Sequence, residues 1–175
     1  MIRTTVIDRE HRQDIRLPNE PFAMTGRVVP SYVNEQWSYE VRPFSPERVG
    51  EMCFPDENYD YDEMKDSVFL GAYEDEKCVG LAVLQPGVFR YLYLYDLKVR
   101  RAYRGQKIGA MLMDKAREIA LRQGYRGLYT QEQDNNVDAC LFYLHYGFHI
   151  GGLDTEVYRG TRQEGKANIL FYIDA

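Results

Sequence analysis

The stretch that decides the fold is YLYLYDLKVRRAYRGQKIGAMLMDKAREIALRQ, residues 91–123. Up to Val99 it alternates aromatic residues with leucines, and this period of two predicts a strand with a tyrosine face and a leucine face. From Lys107 to Gln123 apolar residues recur with the i, i+3, i+4 spacing of a helix that buries one face. Gly124 then supplies a stop. The stretch is therefore a strand that leads through a short turn into a helix.

The segments on both sides extend this pattern into a mixed sheet. Two β-rich runs, 68–73 and 78–84, precede the quoted strand, and the turns EDEK and QPG separate the three, which predicts an antiparallel meander. A strand, GLYTQEQ, follows the helix, then a short helix from about Asn136, and two last strands near 149–153 and 168–173. This order predicts an α+β fold with a central, mostly antiparallel mixed sheet of about six to seven strands and helices on both faces.

The N-terminal part is less regular. Residues 1–20 are polar and of mixed charge, and we expect a loosely attached arm or a helix there, with one domain over residues 21–175. Residues 21–44 carry β-forming residues on both sides of a turn-like stretch, 33–36, which predicts a hairpin. Ser45-Pro46-Glu47 predicts the start of a short helix.

Composition excludes several classes of protein. The formal net charge of -5 argues against a nucleic-acid partner, which would need a basic surface, and is compatible with a small cationic substrate. No stretch approaches the roughly 18 apolar residues of a spanning helix, and no secretion signal is visible, so we expect a cytoplasmic protein with no membrane partner. The three cysteines and three histidines show no metal-ligand spacing, so no metal is expected.

The junction between strand and helix, RRAYRGQKIGA at residues 100–110, has the features of an anion site. A turn that opens into a helix leaves several main-chain N–H groups unpaired at the positive end of the helix, and such an end binds a pyrophosphate readily. Gly105 and Gly109 allow close approach of the backbone, and basic side chains surround them. Neither GxxxxGK[ST] nor GxGxxG occurs. The alternative is that these residues serve only the turn and the surface.

Two motifs in this half of the chain resemble those of the GNAT family of N-acetyltransferases. RGQKIG, residues 104–109, resembles Q/R-x-x-G-x-G/A but has Lys107 where a glycine is usual. NNVDACLFYLHYGF, residues 135–148, resembles N-x-x-A-x-x-F-Y-x-x-x-G-F at Asn136, Ala139, Phe142, Tyr143, Gly147 and Phe148. The resemblance covers residues 21–173. Two longer phrases, at 21–40 and 130–158, resemble the branch of streptothricin acetyltransferases.

The resemblance implies a function and a set of binding residues. The expected reaction is acetyl transfer from acetyl-CoA to a primary amine of a small cationic substrate, the β-lysine part of streptothricin in that branch, which would give antibiotic resistance. Leu97 and Val99 would offer main-chain groups to the pantetheine and the thioester carbonyl, and Asn136 would bond the pantetheine arm. The pyrophosphate would be held by Arg104, Gly105, Gln106, Lys107, Ile108 and Gly109.

Acetyl transfer to an amine also needs an acid and a base. Tyr143 is the candidate acid, because a phenol with a pKa near 10 can protonate a thiolate whose conjugate acid has a pKa near 8.5. An alkyl amine with a pKa near 10.4 arrives protonated, and Asp96 and Glu132 are the candidate bases. Together with Glu40 they are also candidates for binding the substrate. The acidic run 56–63 is either a further wall for a cation or a solvated loop.

Two alternatives stay open. The same scaffold could acetylate another small amine, a polyamine or a protein amino group. It could also be a catalytically silent acyl-CoA-binding module. The sequence is compatible with a homodimer as well.

Overall fold

A computed structural model describes all 175 residues of the chain. Its internal contacts divide the chain into two units. Unit 1 consists of Met1–Glu20, Phe54–Tyr129 and Asp174–Ala175, and unit 2 of Pro21–Cys53 and Thr130–Ile173. Both units are discontinuous along the sequence.

The elements follow one another in an order close to the predicted one. They are β1 (Ile2–Val6), β2 (Phe22–Met24), β3 (Gly26–Val33), β4 (Gln36–Pro43), β5 (Gly50–Met52), β6 (Val68–Glu74), β7 (Lys77–Gln85), β8 (Tyr91–Val99), α1 (Ile108–Arg122), β9 (Gly127–Gln133), α2 (Val137–Tyr146), β10 (His149–Asp154) and β11 (Asn168–Asp174). Short 3₁₀ helices lie at Arg12–Arg16, Pro46–Arg48 and Arg101–Tyr103. Neither α-helix has the length and apolar character that crossing a membrane requires.

Seven strands form one mixed sheet in the order β1-β6-β7-β8-β9-β11-β10. The pairs β1–β6, β6–β7, β7–β8 and β10–β11 are antiparallel, and β8–β9 is parallel. The predicted α+β fold with its meander is thus confirmed. The predicted hairpin is confirmed as well, since β3 and β4 pair from Gly26↔Pro43 to Val33↔Gln36. The short strands β2 and β5, which the sequence did not predict, pair with each other.

Unit 1 is built around β6 and β7, whose residues are buried along almost their whole length. The helix α1 packs on this part of the sheet through its apolar stripe, in which Ile108, Leu112 and Ala116 are fully buried. In β8 the predicted alternation is confirmed, because Leu92 and Leu94 are buried while the intervening tyrosines are more exposed. An apolar helix face against an apolar strand face explains why this unit forms.

The first 20 residues differ from the loosely attached arm that we expected. β1 pairs with β6 over five residues, from Ile2↔Glu74 to Val6↔Leu70. Ile7, Ile15 and Leu17 belong to a buried cluster with residues of β6, β7 and the 59–64 segment. The segment is polar and of mixed charge because β1 is an edge strand, where charged and hydroxyl side chains prevent unwanted pairing.

Unit 2 joins the β3–β4 hairpin to the C-terminal strands and α2. The main-chain N–H of Val28 donates to the carbonyl of Asp134 (2.8 Å), and the N–H of Asp134 donates to the carbonyl of Ala167 (2.9 Å). Val28, Cys140 and Phe171 are fully buried in this unit. These contacts fix the turn between β9 and α2, from which α2 starts.

Candidate active site

The loop before α1 presents a row of unpaired main-chain donors. After Arg104 in an extended conformation, Gly105 has a φ of +78° and Lys107 a φ of +64°, and α1 begins at Ile108. The N–H groups of residues 105–110 donate no hydrogen bond within the protein. Six donors at the positive end of a 15-residue helix are what an anion requires.

The basic side chains of this loop do not all face solvent. Arg104, Gln106 and Lys107 are exposed. Arg104 Nε donates to the carbonyl of Val99 (3.2 Å), which holds its side chain beside the end of β8. Arg100, in contrast, donates from Nε to the carbonyl of Cys78 (2.9 Å), so this predicted source of positive charge has a structural partner.

Strand β8 starts in parallel pairing with β9 and carries an irregularity further along. The pairing within unit 1 joins Tyr91–Tyr93 to Gly127–Tyr129. On its other edge the register with β7 shifts between Leu94 and Asp96, so that Tyr95 is an extra residue, a β-bulge. Residues 96–99, which include Leu97 and Val99, keep a regular register with β7 after the bulge. The sequence shows no sign of this bulge.

Asp96 is the centre of a partly buried cluster in unit 1. Its Oδ2 accepts a hydrogen bond from the Tyr59 hydroxyl (2.8 Å) and lies 3.1 Å from Lys98 Nζ. Lys98 also reaches Glu57 Oε2 (2.9 Å) and Asn19 Oδ1 (3.0 Å). Burial raises the pKa of Asp96, the charge of Lys98 opposes this shift, and Glu57 adds to it. The result is a carboxylate held in one position by two donors.

The acidic run 56–63 mostly has partners within unit 1. Asp56 accepts from the N–H of Asn19 (2.7 Å), and Asp60 accepts from the N–H groups of Asp62 (2.9 Å) and Glu63 (3.1 Å). Asp62 pairs with Arg9. These contacts favour the solvated-loop alternative over a wall for a cation. In unit 2 Glu40 is exposed on β4 and pairs with Arg42.

In unit 2, α2 holds two of the predicted residues. Asn136 caps the helix, its side-chain oxygen accepting from the N–H of Ala139 (3.4 Å). Tyr143, 4% exposed, packs its ring against Phe148 (5.3 Å between centroids) and Phe171 (5.4 Å). Gly147 ends the helix with a φ of +122°. The ring of Tyr143 is therefore fixed by aromatic neighbours on both sides.

The predicted site residues fall into two groups. Asp96, Leu97, Val99 and residues 104–109 lie in unit 1, whereas Glu40, Glu132, Asn136 and Tyr143 lie in unit 2. Glu132 is half-buried, and its Oε1 accepts from the N–H of Gln133 (3.0 Å). Sequence reasoning missed Tyr59, Lys98 and Glu57. The only signal was the Asp96-x-Lys98 spacing, which places both side chains on one face of a strand.

Comparison with known proteins agrees with this arrangement. The sequence model of the acetyltransferase (GNAT) family matches residues 30–148. Streptothricin acetyltransferase A of Bacillus subtilis (strain 168) is 30% identical over 160 residues, which are 91% of this chain and 92% of the relative. Streptothricin acetyltransferase of Streptomyces lavendulae is 30% identical over 99 residues, 56% of this chain and 52% of the relative.

Solved structures show the same fold. A protein assigned as a streptothricin acetyltransferase from Bacillus anthracis str. Ames, in complex with acetyl coenzyme A, superimposes with a TM-score of 0.89 at 24% identity, covering 100% of both chains. Nourseothricin acetyltransferase gives a TM-score of 0.79 at 24% identity, covering 99% of this chain and 98% of that one.

Fold, loop and sequence thus define an acyl-transferring enzyme. The chain belongs to the GNAT family of acetyltransferases. This confirms the predicted enzyme class, an N-acetyltransferase with acetyl-CoA as its donor. The individual roles predicted for its residues stay predictions.

Lys107 provides a test of the loop. Both Lys107→Gly and Lys107→Ala remove an ammonium next to the unpaired N–H groups, and we expect each to raise the KM for acetyl-CoA about two- to fivefold, the range of an exposed charge pair. The glycine variant should be the more stable of the two in urea, because alanine in a left-handed conformation costs about 1–2 kcal/mol. Unchanged KM values in both variants would show that the ammonium does not assist a phosphate.

Proposed function

We propose that the chain transfers the acetyl group of acetyl-CoA to a primary amine in the β-lysine part of streptothricin. The observation that carries this proposal is the 30% identity to streptothricin acetyltransferase A of Bacillus subtilis, because it extends over 91% of this chain and 92% of the relative. This alignment covers more of the chain than the sequence model of the family does, since that model matches residues 30–148. It therefore includes parts of the chain that general family membership does not explain.

The loop before α1 is proposed to hold the diphosphate of the donor. Its fit rests on the unpaired N–H groups of residues 105–110 and on the exposed cations Arg104 and Lys107. When bound, acetyl-CoA supplies an acetyl group activated as a thioester. The main chain of Leu97 and Val99, in the part of β8 that follows the bulge, is proposed to orient it and to polarise its carbonyl.

Tyr143 is proposed as the acid that protonates the departing thiolate. Its phenol has a suitable intrinsic pKa, and its ring is held in place by Phe148 and Phe171. Asn136, at the start of the same helix, is proposed to bond the pantetheine arm. Its cap contact with Ala139 fixes the side chain for this purpose.

Asp96 or Glu132 is proposed to take the proton of the incoming amine. Asp96 is supported by its burial, which raises its pKa and makes it a stronger base, although Tyr59 and Lys98 both use its Oδ2. Glu132 is supported by its half-buried position on β9, where its Oε1 accepts from the N–H of Gln133. Glu40 is the weakest candidate for the substrate site, because its charge is neutralised by Arg42.

The homodimer and the cytoplasmic location also stay proposals. The β3–β4 hairpin supports a homodimer, since it exposes Tyr32, Val33, Tyr39 and Val41 and forms a sheet of two strands only. Sedimentation equilibrium would decide the oligomeric state, and a monomer at all concentrations would rule the dimer out.

The acceptor is tested by release of free thiol from acetyl-CoA. We expect rapid release with streptothricin and at least a hundredfold lower kcat/KM with aminoglycosides, polyamines and peptides, because a site built for one acceptor leaves polar groups unpaired with another. A preference for one of the other amines would replace streptothricin as the acceptor. Thiol release no faster than background with every amine would support a silent acyl-CoA-binding module.

The Tyr143→Phe variant tests the acid. Phenylalanine keeps the packing against Phe148 and Phe171, so the change isolates the hydroxyl. We expect kcat to fall at least tenfold with little change in the affinity for acetyl-CoA. Tyr146→Phe, a neighbouring tyrosine on the same helix, serves as the matched control. An unaltered kcat in Tyr143→Phe would remove this residue from the mechanism.

The base is identified by comparing Asp96→Asn with Glu132→Gln. Loss of the base should lower kcat/KM at pH 7 about a hundredfold or more, and activity should recover toward pH 10, where the amine loses its proton unaided. Because the base must be ionised and burial raises the pKa of Asp96, activity that depends on Asp96 falls as the pH drops through this raised pKa. Small, pH-independent effects in both variants would exclude both residues.

A further inference from the structure

Unit 2 contains a cavity, and its lining includes none of the residues proposed above for catalysis or for binding the donor. Its volume is about 280 Å³, and it lies between β2, β3, the segment after β4, the turn from β9 to α2 and the loop before β11. Its polar lining consists of Arg27, Arg48, Asp134, Asn135, Glu164 and Lys166. This volume suits a small metabolite or one arm of a larger molecule.

The cationic side chains of the lining outnumber the anionic ones. Arg27 and Asp134 neutralise each other, with 2.7 Å between Nη2 and Oδ2 and the carboxylate only 3% exposed. Lys166 and Arg48 have no carboxylate within ion-pair distance. Lys166 Nζ contacts Met52 Sδ (3.4 Å) and the side-chain oxygen of Gln163, both uncharged.

The remaining acidic residue does not cancel this excess. Glu164 is exposed, and its Oε2 accepts from the N–H of Gly160 (3.1 Å). The guanidinium of Arg48 lies over the ring of Phe44, 4.4 Å from its centroid. Lys166 and Arg48 therefore line the cavity without a carboxylate at ion-pair distance, and Asp134, already paired with Arg27, acts on Lys166 only through its charge.

Two buried polar atoms of the lining are unsatisfied. Asn135 is 4% exposed, and its Oδ1 has no hydrogen-bond partner, whereas its Nδ2 lies 3.4 Å from Met24 Sδ. The Nε of Arg27 is also buried without a partner. Buried polar groups are normally paired, so an unpaired acceptor and an unpaired donor on two residues that line one cavity point to a missing ligand.

We propose that this cavity binds a small organic anion that carries a carboxylate or phosphate next to a hydrogen-bond donor. Lys166 and Arg48 would pair with the anionic oxygens, and Asn135 Oδ1 would accept from the neighbouring hydroxyl or amide N–H. Burial lowers the pKa of Lys166 and the charge of Asp134 opposes this shift, and a bound anion would raise this pKa again. The inference goes beyond the proposed acetylation and does not depend on the identity of the acceptor.

Calorimetric titration of the full chain with L-malate and with succinate tests the site. The protein is first saturated with coenzyme A, so that the loop before α1 is filled and cannot take up the anion. The two probes differ only in the hydroxyl of malate. We expect saturable binding at one site per chain, and malate should bind at least threefold more tightly than succinate.

Variants separate this cavity from other sites. Lys166→Met and Arg48→Gln should each weaken malate at least tenfold, and Asn135→Ala should reduce malate to the affinity of succinate. Arg162→Gln removes an exposed charge from the same loop without touching the lining and should change nothing. Unchanged coenzyme A affinity confirms that each variant is folded, and Arg48, being exposed, keeps the test valid if Lys166→Met does not fold.

The outcomes are distinct from those of the acceptor assay. No saturable malate binding, or equal binding by wild type, Lys166→Met and Arg48→Gln, would overturn the proposal, whether or not streptothricin is acetylated. If malate binds and competes with the acceptor in initial-rate kinetics, the cavity takes an anionic or carbonyl-bearing part of the acceptor. If malate binds without competing, the anion is a separate effector. Affinity should fall as the pH rises through the lowered pKa of Lys166, since only the ammonium attracts the anion.

Discussion

The structure depends on one local constraint, the unpaired main-chain donors at the start of α1. Helix α1 begins at Ile108 after Gly105 and Lys107 have both adopted a positive φ, and the N–H groups of residues 105–110 are left without partners. The apolar stripe of α1 compensates by packing on β6 and β7. Folding energy thus holds in place a set of donors that an anion can satisfy.

The two candidate catalytic groups are likewise held in place by contacts within the protein. Tyr143 is fixed by aromatic packing within unit 2, and Asp96 by hydrogen bonds and a lysine within unit 1. In each case the side chain gains its position from contacts that involve no substrate. Preorganisation of this kind reduces the reorganisation needed during the reaction.

The elements that could be predicted from the sequence are those whose signals lie in neighbouring residues. The period of two in β8, the helical period in α1 and the glycines between them predicted the strand, the helix and the phosphate loop. Sequence reasoning did not find β1, because five residues of mixed polarity on a sheet edge look like a loop. It also missed the bulge at Tyr95 and the cluster around Lys98, since a bulge has no residue signature and Lys98 depends on Asn19 and Glu57, which are distant in sequence. The cavity in unit 2 was equally hidden, because five separate segments line it.

The interleaving of the two units along the chain constrains the order of folding. Unit 1 includes both Met1–Glu20 and Asp174–Ala175, and Asp174 accepts from Tyr91 Oη (2.8 Å) and pairs with Arg126 (2.9 Å). These contacts of Asp174 form only after every segment of unit 2 has been synthesised, whereas β1 can pair with β6 once residue 74 has emerged. The apolar side chains of Ile7 and Ile15 stay exposed on the nascent chain until β6 and β7 have emerged, because their buried cluster contains Phe69, Leu81 and Val83.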